Sequence, residues 1–111
     1  ENAAVYLLDQ GKKRPFWDKQ ILNFNYNDHD KVVNISREEM ERYPVGPAVK
    51  FRDGALLKGP SGGVYVIADG KKCGIASREV FDGLGYKMSN VITVRQAILD
   101  LHPNGATIKD Y

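Results

Sequence analysis

Val5-Tyr6-Leu7-Leu8-Asp9-Gln10-Gly11-Lys12-Lys13, echoed 59 residues later by Val64-Tyr65-Val66-Ile67-Ala68-Asp69-Gly70-Lys71-Lys72, is the pair of stretches that decides how this sequence folds. Each reads as a β-rich apolar run, a turn with glycine free to take positive φ, and a second short strand. That is a β-hairpin. The strands fall at 4–8 with 13–17 and at 63–68 with 72–76.

The correspondence continues outward at the same offset. Val32-Val33-Asn34-Ile35 returns as Val91-Ile92-Thr93-Val94, Pro44-Val45-Gly46 as Pro103-Asn104-Gly105, and Lys50 as Lys109. A one-residue adjustment in between aligns Tyr26 with Tyr86. Matches this long and in one order read as a duplicated module. Asp18 and Ser77 suit N-caps of helices near 19–24 and 78–84, with Ile21, Leu22 and Phe24, or Val80, Phe81 and Leu84, as their apolar faces. A further helix runs from about 37 to 43 and about 95 to 102, opened by Ser36 with Glu39 or Thr93 with Gln96, and closed by Pro44 or Pro103.

Residues 48–59 alternate like strands and turn at Asp53-Gly54, so they are not a linker. Leu56-Leu57 is expected as a third strand beside the second hairpin. No residues ahead of Val5 can serve the first hairpin in the same way, and Thr107-Ile108-Lys109 lacks a return strand. The stretch looks like one register of a longer array, or a unit completed by a neighbour. The fold class is α+β: repeat 1 over 1–50 and repeat 2 over 51–111, side by side, sharing the central segment and folding as one cooperative body.

Asp53-Gly54-Ala55-Leu56-Leu57-Lys58-Gly59, Val64 to Ile67 with Asp69 to Lys72, Val80-Phe81, Gly85-Tyr86, Val91 to Val94 and Pro103-Asn104-Gly105 together resemble a tandem repeat of about 60 residues. That repeat is found in secreted and cell-surface proteins of bacteria, often beside cell-wall hydrolase domains. The resemblance covers nearly the whole chain and implies an extracytoplasmic module without catalysis. It implies no ligand and no site residues, and Phe16-Trp17 and Asn23 to Asp30 depart from it.

Bulk properties agree with a globular module. The chain has 111 residues, 42% hydrophobic and 27% charged. A net charge of +2 is too small for nucleic-acid binding, and no apolar run is long enough to span a bilayer. No leader pattern is present, which leaves a cytosolic chain or the mature part of an exported one. The lone Cys73 forms no internal disulfide and counts slightly against export.

Candidate chemistry is sparse. Asn23 to Asp30 has oxygen ligands at alternate positions, but Asp28 and Asn34 stand where a calcium loop needs glycine and glutamate. A solvated loop is the better reading. His29 and His102 are non-equivalent and lack a second ligand at metal spacing, and Cys73 corresponds to Arg14 in the other copy. No cofactor is implied. No carboxylate pair, triad or metal set recurs in both copies, so an enzyme is not expected. The candidate binding or interface residues are Lys12, Lys13, Lys71 and Lys72 at the hairpin turns, Phe16 and Trp17, and Val5 and Leu7 on the first strand. The lysines serve either solubility or anionic wall polymers. Of Phe16 and Trp17, one should be buried and the other exposed. The leading function is a self-associating structural module of a cell-surface protein or filament. The alternative is a cell-wall or surface-glycan binder.

Overall fold

The computed structural model describes residues 5–26, 33 and 35–111. It is α+β, and the chain divides into two compact units, Glu1–Lys50 and Phe51–Tyr111.

In the first unit β1 (Tyr6–Asp9) and β2 (Lys12–Pro15) form an antiparallel hairpin, followed by α1 (Lys19–Asn25) and α2 (Arg37–Met40). Gln10 and Gly11 hold φ of 52° and 78°, the left-handed pair that a two-residue hairpin turn requires. Val45 bridges Lys13 in parallel, and the Val49 N–H donates to the Pro15 carbonyl at 2.9 Å. Residues 44–49 thus line the free side of β2. Ile21, Leu22 and Val49 are buried.

The second unit has a four-stranded sheet in the order β5-β4-β3-β6. Its strands are β3 (Leu56–Lys58), β4 (Val64–Ala68), β5 (Lys71–Gly74) and β6 (Val91–Thr93), with α3 (Arg78–Gly83) and α4 (Gln96–Leu99). β3 runs antiparallel to β4 and parallel to β6. Asp69 and Gly70 hold φ of 54° and 75°. Asn104 bridges Lys72 and Ile108 bridges Ile75, both in parallel, so residues 104–108 line the outer side of β5.

Consecutive strand residues face opposite ways, and the sheet is covered on both faces. Leu56, Val66 and Phe81 of α3 form a core cluster, with Val64, Cys73, Ile75, Tyr86, Val91 and Ile108 against it. Leu57 and Ile67, fully buried, belong to the other face. Lys72, opposite Ile67, reaches the His102 carbonyl beyond α4, and a Cβ on Gly59 would collide with Leu99 of α4.

Several backbone bonds recur at the 59-residue offset. Lys13 N–H to Pro44 O and Lys72 N–H to Pro103 O measure 2.9 and 2.8 Å. Gly46 N–H to Lys13 O and Gly105 N–H to Lys72 O measure 2.8 and 2.9 Å. Phe16 N–H to Val5 O is matched by Ile75 N–H to Val64 O, and Val49 N–H to Pro15 O by Ile108 N–H to Gly74 O.

Other details differ from the sequence reading. Phe24 is exposed, and Asn25 takes the buried place, its Nδ2 donating to the Lys50 carbonyl at 2.8 Å. Ser77 caps α3 by accepting the Val80 N–H, and Ser36 accepts the Glu39 N–H, but Asp18 makes no side-chain cap bond. Thr93 lies in β6, and α4 opens at Gln96 with Arg95 at its N-cap position. The second helices are also shorter than expected, because their last turns tighten into bonds such as Leu101 N–H to Ile98 O.

Candidate functional site

An antiparallel pair alternates residues that bond each other with residues whose N–H and C=O point away. The Phe16 N–H donates to the Val5 carbonyl, and Lys13 uses its backbone for Pro44 and Gly46. Val5, Leu7 and Asp9 therefore bond β2, while Tyr6 and Leu8 turn their backbone groups away from it. Val5 and Leu7, the interface candidates on this strand, thus spend their backbone groups on β2. The outward donors are Tyr6 and Leu8.

In the second unit their counterparts, Tyr65 and Ile67, meet β3. Leu57 is in register with Tyr65, the Ile67 N–H donates to Ala55 O at 2.9 Å, and Ile67 O accepts the Gly54 N–H at 2.8 Å. β1 has β2 as its one strand partner among the described residues. Side-chain exposure follows the same division. Leu8 is 47% exposed where Ile67 is 0%, and Leu7 is half-buried where Val66 is buried. An edge strand normally carries a lysine, proline or bulge to discourage pairing. β1 reads Tyr-Leu-Leu-Asp, with none of these.

Two of the four candidate lysines are already engaged. Lys13 Nζ donates to the Met40 carbonyl at the end of α2 and lies 5.4 Å from the centre of the Tyr6 ring. Lys72 Nζ donates to the His102 carbonyl at 2.6 Å. Cations at helix C-termini satisfy leftover carbonyls and the negative end of the dipole. Lys12 and Lys71 are exposed. Phe16 is half-buried edge-on against Tyr26, with centroids 6.1 Å apart, and Trp17 is 48% exposed.

His102 is not on the surface. Its Nε2 accepts the Phe51 N–H at 3.3 Å and its Nδ1 lies 3.0 Å from the Gly70 carbonyl. A neutral ring with the proton on Nδ1 satisfies both. Cys73 lies half-buried against the core cluster. Of the Asn23–Asp30 segment, Asn25 donates its amide to backbone, while Asn27 to Asp30, and with them His29, lie outside the described residues. Among the described residues no group of three or more His, Cys, Asp or Glu side chains is placed to hold a metal, and no helix is long and apolar enough to cross a membrane.

At the other end of the chain Ile108 pairs with the outer side of β5: its N–H donates to Gly74 O, and its carbonyl accepts the Ala76 N–H. A groove of about 290 Å³ in this unit is lined in part by Val64, Ile75, Phe81 and Met88.

No family model matches the chain, and no solved structure matches it. Among curated proteins, the chain is 32% identical over 62 residues to Protein CgeD of Bacillus subtilis (strain 168). That match takes in 56% of this chain but 15% of CgeD. The chain thus spans a small part of the relative it resembles, too little to place it in a family.

Proposed function

We propose that this chain is a non-enzymatic, extracytoplasmic repeat module, a structural component of a cell-surface protein or filament. It assembles with further copies of itself by strand pairing. The observation that carries this reading is the outer edge of β1, apolar and without a second strand among the described residues, at the place where β4 carries β3. Backbone groups on such an edge template another chain. The recurring hydrogen bonds support a module written twice, and two copies in one chain suit an array.

Sedimentation from micromolar to millimolar concentration tests it. Mass should rise with concentration for the native chain, whereas Leu8→Pro, which deletes an outward N–H from an exposed position, should stay monomeric. A native chain of constant mass defeats the reading. In that event glycan binding gains, since Trp17 offers an exposed ring for a sugar face and Lys12 an exposed cation. Retention on isolated wall material, lost in Trp17→Ala, would then be expected.

A further inference from the structure

We propose that the β1 edge is a binding site for one kind of extended segment: an Asp-Gly turn followed by two consecutive apolar residues and a lysine. Such a segment is the chemistry of Asp53 to Lys58, delivered by a further copy of the module. The inference rests on the self-association reading and names its ligand.

The second unit displays the occupied form of this site. There β3 enters antiparallel beside β4 and brings three separable contributions. Its backbone pairs with the outward groups of Ile67 and Tyr65. Its two leucines separate to the two faces of the sheet, Leu56 against Val66 and Phe81, Leu57 to the side of Ile67. The Asp53 Oδ1 accepts the Gly70 N–H at 3.0 Å, tying the incoming turn to the hairpin tip. A carboxylate accepting a backbone N–H is stronger than a neutral acceptor and fixes register.

The first unit presents a receptor for each of these. Leu8 and Tyr6 offer the outward backbone. Leu7 and Leu8, one on each face, are the partly bared side chains that a consecutive apolar pair would cover. Gln10-Gly11 repeats the Asp69-Gly70 backbone, with φ of 52° and 78° against 54° and 75°, so the Gly11 N–H is set as the Gly70 N–H is. A one-residue slip would send each leucine to the wrong face and the carboxylate away from the tip, so the register is specified. Within one chain β3 has β4 on one edge and β6 on the other. In a further copy it can therefore reach this edge only by leaving its own sheet in a strand exchange, and a free peptide is the suitable probe.

The test uses the full chain, isotope-labelled for NMR, titrated with an end-capped peptide of residues 51–59. Saturable shifts are expected at the Tyr6, Leu8 and Gly11 amides, with hydrogen exchange at Leu8 slowed at least tenfold. In the peptide, Asp53→Asn should weaken binding several-fold, and N-methylation of Leu57, which blocks its bond to the receptor strand, should abolish it. Because the methyl group sits on the ligand, this control is independent of how any protein variant folds. Shifts confined to 65–70, showing the peptide displacing β3, or no shifts at all, would overturn the proposal. So would a closed dimer, with residues 6–11 at its interface, that the peptide fails to dissociate, because two β1 edges would then pair with each other. Peptide binding to a chain that is monomeric at every concentration leaves this site standing and removes self-association. Association untouched by Leu8→Pro or by peptide does the reverse.

Discussion

Replacing His102 by alanine should strongly destabilise the second unit while leaving the first unaffected. The ring is 0% exposed and its two nitrogens bind the Phe51 N–H and the Gly70 carbonyl. Truncation leaves the buried Phe51 N–H and the part-buried Gly70 carbonyl without that partner, at about 1–3 kcal/mol each with the carbonyl at the lower end. The void beside Phe51, whose ring centre lies 6.3 Å away, adds to this. The sum is about 3–6 kcal/mol, most of the stability that a small domain possesses. Glutamine can keep one of the two bonds and should cost about half as much. Urea denaturation monitored by NMR separates the units, and Trp17 fluorescence reports the first alone. With a slope of about 1–1.5 kcal/mol per molar urea, the midpoint of the second unit should fall by about 2 M or more. A midpoint lowered by less than about 0.5 M, with amides of residues 51 and 70 unshifted, would refute the role given to this ring.

Other substitutions probe neighbouring features. Ile67→Ala should cost about 2–5 kcal/mol, whereas Leu8→Ala at the corresponding exposed position should stay within about 1 kcal/mol by the same melts. A Cβ at Gly105 would lie 2.6 Å from the Cys73 sulfur, so Gly105→Ala should destabilise by about 1–3 kcal/mol and be partly rescued by adding Cys73→Ala in a double-mutant cycle. Removing the α3 cap with Ser77→Ala should cost about 1 kcal/mol, read as a lower thermal midpoint.

The sequence carried much of this fold because its strongest signals are local. Gln10-Gly11 and Asp69-Gly70 demand positive φ, and that alone places two hairpins. Leu56-Leu57 as a third strand was likewise legible from its alternation and the Asp53-Gly54 turn. What was missed depends on partners distant in the chain. β6 is three residues long and exists through parallel pairing with β3, more than thirty residues earlier, so Thr93 read as a helix start and not as the end of a strand. The buried places of Asn25 and His102 are set by the Lys50 carbonyl and the Phe51 N–H, which no periodicity announces. Alternation assigns side chains to faces but not backbone groups to edges, hence the confusion of Val5 and Leu7 with Tyr6 and Leu8. Pro15 held the missing clue: without an N–H it has no donor to offer β1, so its pair with Tyr6 is the kind whose backbone groups face outward.

The parallel course of the entering and leaving segments of the second unit has a mechanical consequence. In the second unit β3 leads in from Phe51, and the segment through Ile108 leads out along the far side of β5. β5 points the same way as β3, because each is antiparallel to β4. Tension applied between residues 51 and 111 would therefore drag β3 one way and the 108 segment the other, along their own lengths. The interstrand bonds between them would be loaded together in shear rather than opened one at a time. Stretched in this direction, the unit should yield abruptly and at high force.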